Sequence, residues 1–145
     1  MQDGDRLPEL RAELAQQLPI LKELLTALGY RLVECPGFEA DDILGTLAAQ
    51  AERTGNDCVI ATGDRDSLQL VSPAVTVRLA ATKMGRPEAT LYDAAKIMEV
   101  YGVTPKELIE IKAIQGDSSD CIPGVKGIGQ KGAAELIQRY HSVQY

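Results

Sequence analysis

Two short apolar runs with an amphipathic segment between them constrain this chain more than any other feature. YRLVEC (residues 30–35) and NDCVIA (residues 56–61) read as strands. Between them Ile43, Leu44, Leu47, Ala48 and Ala51 recur at helical spacing and form one apolar face. Strand, helix and strand with a crossover of this length predict a βαβ unit, and with it an α/β fold built on parallel strands. With 145 residues, 45% of them hydrophobic, the chain has material for one ordinary globular core and a small appended module.

Upstream, Leu10, Leu14, Leu18, Leu21, Leu24, Leu25 and Leu28 predict an amphipathic helix that Pro19 should break or kink and that Gly29 should end. A turn is expected at Pro36-Gly37. Downstream, SLQLV reads as a short helical turn, and VTVRLA and EATLY as extended segments joined around residues 83–87. Helices are expected near 93–101 and 105–114. The last quarter, IPGVKGIGQKGAAELIQRY, reads as two short helices around a hairpin punctuated by Gly124, Gly127 and Gly129. The resulting division is an α/β core over 1–92 and a helical segment over 93–145, with the hairpin motif at 122–139.

No apolar run reaches the roughly 18 residues of a membrane span, so no membrane partner is expected. Cys35, Cys58 and Cys121 are odd in number, widely spaced and in no CxxC pairing. That pattern suggests neither a disulfide framework nor a zinc site, and fits a reducing, cytoplasmic setting. The net charge of −6 is unevenly placed. From Ile122 to Tyr145, Lys126, Lys131 and Arg139 stand against Glu135, a balance of +2, which leaves −8 for residues 1–121. Excess acid beside a small basic, Gly-rich segment suits a metal-using enzyme for a polyanion, since bound divalent ions reverse the local sign. A solvated acidic surface gives the same sum.

Three acidic clusters carry the candidate chemistry: Glu39-Ala-Asp41-Asp42, Gly63-Asp64-Arg65-Asp66 and Gly116-Asp117-Ser118-Ser119-Asp120. The first opens a helix after a strand and turn, the second follows the run CVIAT directly, and the third sits in a turn after a helix. Ligands of open α/β sheets bind beyond the carboxyl ends of the strands, where the first two clusters are expected to converge. Mg²⁺ and similar hard cations prefer oxygen ligands, and a pair of them about 4 Å apart needs many carboxylates. Taken singly, each acid has a structural explanation as well. Asp41 and Asp42 suit the positive end of a helix, Asp66 suits an N-cap, and Asp117 or Asp120 suits a turn.

In PGVKGIGQKGAAELI, Val125 and Ile128 are expected to face inward as apolar anchors while Gly127 and Gly129 permit a tight backbone turn. The turn and the start of the following helix, from about Gln130, present N–H groups to a phosphate, and Lys126 and Lys131 add charge without reading bases. A ligand-free helix–helix turn has the same composition.

EADD, TGDRDSLQLV, YGVTPKELIEIKAIQGDSSDCIPGVKGIGQKGA and LKELLTALGYRLVECPGFEADD together resemble the 5′-nuclease (5′-3′ exonuclease) domain of bacterial DNA polymerase I, in the flap endonuclease family. The likeness covers almost the whole chain, with three acidic motifs and the hairpin in the family's order. It implies a Rossmann-like (PIN-like) α/β core around a mostly parallel sheet, followed by a helical segment with a helix-three-turn-helix of the helix-hairpin-helix type. It implies cleavage of DNA near a 5′ end or at a 5′ flap with two Mg²⁺ or Mn²⁺ ions. By the same matching, Glu39 and Asp41 belong to a first metal site with Asp42 nearby. Asp64, Asp66 and Asp120 hold a second metal, and Asp117 assists through water. Gly124, Lys126, Gly127, Gly129, Gln130 and Lys131 grip duplex DNA, with K⁺ on the carbonyls of Val125 and Ile128.

Two positions depart from the family pattern. Cys121 stands where Asn is usual, and Gly132 where Thr is usual. The family's opening strand with its essential Asp, and the basic arch after it, are not in this sequence. The sheet is therefore expected to be incomplete at its N-terminus, the isolated chain to be weak or inactive, and the exposed edge to favour self-association. A non-catalytic module that binds duplex DNA through the hairpin is the alternative. A ribonuclease-like metal domain is a third reading, disfavoured by the hairpin.

Overall fold

The computed structural model describes residues 7–83, 85–118 and 120–144. Met84 in the expected strand turn and Ser119 in the third acidic cluster lie outside the described residues. The chain divides into two compact units, Met1–Ile43 and Leu44–Tyr145.

In the first unit, α1 (Leu7–Ala27) is one helix of 21 residues with Pro19 inside it. Pro19 does not end the helix as expected. A proline forfeits one hydrogen bond, but the Leu, Ala, Gln, Glu and Lys residues on both sides all favour helix and carry the chain across the gap. The end comes at Gly29, in the left-handed region at φ 86°. There the amide of Gly29 donates to Thr26 O and that of Tyr30 to Leu25 O, each at 3.0 Å, the paired bonds of a Schellman cap. Cys35 to Phe38 close a turn with Gly37 at φ 87° and the Phe38 amide 3.1 Å from Cys35 O, as the Pro-Gly pair predicts.

The strand expected over residues 30–35 is not formed. The segment pairs with no described strand, and Tyr30, Leu32 and Val33 are exposed. Strand composition marks residues that fit a pleated, half-buried surface, but only a partner makes a strand. The βαβ unit is thus not closed at its first strand.

α2 (Ala40–Thr54) leads through Gly55 and Asn56 to the sheet of the second unit. β1 (Cys58–Thr62) pairs parallel with β2 (Val75–Lys83), and β2 pairs antiparallel with β3 (Arg86–Tyr92), in the order β1-β2-β3. The sheet is therefore mixed, with a parallel pair at its heart. A 3₁₀ helix, Arg65–Leu70, makes the connection between the parallel strands. Val75, Val77 and Leu79 alternate onto the buried face and pack with Ala48, Ile60, Leu68, Val71 and Ile97.

Three helices follow. α3 (Ala94–Tyr101) is capped by Asp93, whose carboxylate accepts the Lys96 amide at 2.7 Å. α4 (Glu107–Gln115) opens on a capping box: the Glu107 carboxylate accepts the Thr104 amide at 2.7 Å, and Thr104 Oγ1 faces the Glu107 amide at 3.4 Å. α5 (Gln130–Tyr140) packs on α4 through Val103, Ile111, Ile114, Ala133 and Ile137. Tyr101 and Leu108 touch both clusters.

The first short helix expected after residue 121 is replaced by extended chain. β4 (Gly116–Asp117) pairs antiparallel with β5 (Ile122–Pro123), so the helices flanking the Gly-rich turn are α4 and α5. The reason is a close backbone crossing. A Cβ on Gly124 would stand 2.0 Å from Gln115 O, and one on Gly116 would stand 2.3 Å from Gly124 N.

Candidate functional site

In the first unit, Glu39, Asp41 and Asp42 are exposed at the start of α2. The Glu39 amide donates to Asp42 Oδ2 at 3.0 Å, and Glu39 O accepts the Ile43 amide at 3.4 Å. Local helix capping thus accounts for Asp42, with Asp41 and Asp42 both favoured by the positive helix end.

The acids of the second unit are held differently. Asp64 caps the 3₁₀ helix by accepting the Asp66 amide at 2.9 Å, and its own amide donates to Thr62 Oγ1 at 3.0 Å. The Asp66 carboxylate reaches across to α4. Both of its oxygens lie 2.6 Å from Lys112 Nζ, and the same ammonium lies 2.7 Å from Asp117 Oδ2. Asp66 and Asp117 come from segments far apart in sequence and meet on one cation. Burial works against the charged lysine, but hydrogen bonds to Asp117 and Asp66 outweigh it and push its pKa up to about 12. Lys112 is therefore an ammonium at any working pH.

A cleft of about 540 Å³ runs along this pair, lined by Asp66, Asp117 and Asp120 together with Arg65, Lys112 and Gln130. Asp120 is exposed at its rim, followed by Cys121, which is held at φ 58°. Asn tolerates that left-handed backbone better than Cys does, a physical reason for an Asn preference at this position. Lys112 escaped the sequence reading because one lysine on a helix face, 46 residues from Asp66, carries no local signal.

Carboxylate oxygens are the donors that Mg²⁺ or Mn²⁺ prefers. As arranged, though, these side chains do not make a metal centre. Among the described residues no three Asp, Glu, His or Cys side chains stand close enough together to hold an ion. Where Asp66 and Asp117 converge, the position is taken by the lysine.

The Gly-rich turn is held by the Val125 amide, which donates to Ile114 O at 2.7 Å, and by the Ile128 amide, which donates to Val125 O at 3.0 Å. Gly127 sits at φ 84° with open space around it. Of the two expected anchors, Ile128 packs on the α4–α5 core, whereas Val125 is exposed. The turn closes through the Val125 backbone, so its side chain need not be buried. Gly129 precedes α5 with no side-chain cap, leaving the first amides of the helix without that partner. Lys126, Gly127, Gly129, Gln130 and Lys131 are exposed, and neither lysine has an ion pair among the described residues. Gly124 serves the crossing against Gln115.

An α/β unit whose acidic loops meet a compact α-helical segment is the layout of a resolvase-like nuclease domain joined to a SAM-like one. Residues 5–102 match the family described as 5′-3′ exonuclease, N-terminal resolvase-like domain, and residues 103–145 match 5′-3′ exonuclease, C-terminal SAM fold. The chain belongs to the 5′-3′ exonuclease family. It is 44% identical over 131 residues to DNA polymerase I of Caldicellulosiruptor bescii, covering 90% of this chain and 15% of that protein. It is 45% identical over 132 residues to DNA polymerase I of Bacillus caldotenax, covering 91% of this chain and 15% of the relative. Among solved structures, the T5 5′-exonuclease with bound divalent zinc ions superposes with a TM-score of 0.74 at 25% identity, over 94% of this chain and 49% of that one. The chain thus spans 15% of these polymerases and about half of the T5 exonuclease.

Proposed function

We propose that this chain is part of a metal-dependent 5′-nuclease that hydrolyses phosphodiester bonds in DNA near a 5′ end or a 5′ flap. The observation that carries the reading is the cleft of the second unit, where Asp66, Asp117 and Asp120 share a wall with Gln130, the first residue of α5. Acids able to recruit cations and a helix start able to bind phosphate thus open on one space. Asp64, Asp66 and Asp120 are assigned to one Mg²⁺ or Mn²⁺ site, with Asp117 assisting through water, and Glu39 and Asp41 to another, with Asp42 nearby. The divalent ions bound in the T5 exonuclease support a metal requirement.

Duplex DNA is assigned to the turn, where the backbone of Gly124, Gly127 and Gly129, the amides at Gln130 and Lys131, and the ammonium groups of Lys126 and Lys131 meet phosphates. A K⁺ ion on the Val125 and Ile128 carbonyls would add positive charge there. These contacts carry no base information, so binding is expected to be weak, sequence-independent and salt-sensitive. Cleavage by the chain alone is expected to be slow, because its carboxylates do not gather into a metal centre among the described residues. The three cysteines are free, which accords with a reducing, cytoplasmic setting.

One experiment reads both activities on a labelled 5′-flap duplex with Mn²⁺, following anisotropy and product length at several KCl concentrations. The slope of log affinity against log salt is expected to be on the order of −2 to −3, and to flatten by roughly 2 in Lys126→Ala/Lys131→Ala. Asp120→Ala should leave binding intact while abolishing the slow cleavage. Equal salt slopes for parent and double variant would make the turn merely structural. Binding with no cleavage over days would favour the reading of a non-catalytic DNA-binding module.

A further inference from the structure

Lys112 stands outside every role assigned so far, although its contacts tie together two of the acidic clusters. Three carboxylate oxygens, Asp66 Oδ1, Asp66 Oδ2 and Asp117 Oδ2, lie 2.6, 2.6 and 2.7 Å from its Nζ. An ammonium has three donors, and the number of close acceptors matches. All three separations fall at or below the short end of charge-assisted hydrogen bonds. The ammonium occupies the point on which two acidic clusters converge, which is where a cation bound to both would also sit.

Building on the metal-dependent reading above, we propose that Lys112 is a built-in counter-cation that keeps Asp66 and Asp117 together in the metal-free protein and competes with a divalent ion for them. Without a cation between them the two carboxylates repel. With the ammonium in place, an ion bound to Asp66 would stand within a few ångströms of a like charge. The two sides of the contact differ in freedom. The Asp117 side chain is only 11% exposed, whereas that of Lys112 is 37% exposed on a flexible four-carbon stem. Lys112 is the partner able to swing into water, so metal entry expels the lysine and leaves Asp117 where it is. The two carboxylates that meet here are matched to one positive charge already supplied by the chain.

The test measures metal affinity in place of turnover. Mn²⁺ is titrated into the whole chain by calorimetry and by the paramagnetic resonance signal of the free ion, for the parent, Lys112→Met, Lys112→Arg and Asp66→Asn. Lys112→Met is expected to bind on the order of tenfold more tightly than the parent, because a like charge beside the ion is gone. Lys112→Arg, which keeps the charge, should bind no more tightly than the parent, and Asp66→Asn should bind more weakly. Independently, the ¹⁵Nζ resonance of Lys112 in the parent should lose its protected, hydrogen-bonded character on saturation with Mg²⁺. This titration decides the matter if circular dichroism shows Lys112→Met unfolded. Metal binding by the parent with equal or weaker binding by Lys112→Met, or a Lys112 resonance unmoved by saturating Mg²⁺, overturns the competition alone. No binding by any form overturns it together with the metal-dependent reading.

Discussion

Residues 11–43 and 44–144 use the same kinds of apolar side chain to opposite effect. Leu14, Leu18, Leu21, Leu24, Leu32, Val33 and Phe38 are all exposed, while Ile60, Leu68, Val75, Val77, Ile97, Ile111 and Ile137 are all buried. Burying one such side chain stabilises by about 1.5–3 kcal/mol, so the second unit has a core and the described part of the first has none. What holds the first unit is local: helix bonds, the Gly29 cap and a Lys22–Glu34 ion pair. The acids follow the same contrast. Asp42 meets its partner three residues away, whereas Asp66 meets Lys112 across 46 residues, on a helix that also brings Asp117 to the same ammonium.

The largest effect expected from this contrast comes from truncating matched residues. Ile97→Ala should cost about 2–5 kcal/mol, whereas Leu21→Ala should fall within about 0.5 kcal/mol of the parent, by urea denaturation followed by circular dichroism. Comparable losses would show that the first unit has a buried face of its own.

A smaller effect sharpens the electrostatic half of the comparison. Burial opposes the Glu107 carboxylate, but the Thr104 amide, His141 and the Thr104 hydroxyl outweigh it and hold its pKa below the usual glutamate value. A depressed pKa contributes stability above the ordinary range, and that contribution is lost as pH falls through the folded-state value. Glu107→Gln should therefore cost about 1 kcal/mol near neutral pH, with the gap to the parent closing in acid. A gap of constant size from neutral pH to about pH 3 would show that the carboxylate charge has no part in the cap.

The smallest effect is a gain. Cys121 is held at φ 58°, where a residue other than Gly, Asn or Asp is strained, so Cys121→Asn should stabilise by about 0.5–1 kcal/mol. A shift in thermal midpoint of the opposite sign would place the cysteine side chain in a contact that offsets the strain.

Local signals set much of the second unit. The run CVIAT became β1, SLQL of SLQLV fell in the 3₁₀ helix with Val71 just past its end, and Asp93 and Gly102 bound α3 where capping chemistry puts such residues. Thr104-Pro105-Lys106-Glu107 is a capping box legible in the chain, and α4 is formed from residue 107, two residues after the expected start at 105. Of the acids singled out in the sequence, Asp66, Asp117 and Asp120 line one cleft, and Asp64 caps the 3₁₀ helix beside it.

What the sequence by itself determined is therefore everything decided within a few residues: helices, turns, caps, the alternating face of β2, and the acidic and glycine motifs that identify the family. The tertiary structure alone decided whether YRLVEC would pair, that Gly124 must pass against Gln115, and that Lys112 would stand between Asp66 and Asp117. The physical reason is the same in each case. Helix bonds and caps join near neighbours, so their partners are written beside them. Strand ladders, backbone crossings and long-range ion pairs depend on a group whose position is set by the rest of the fold.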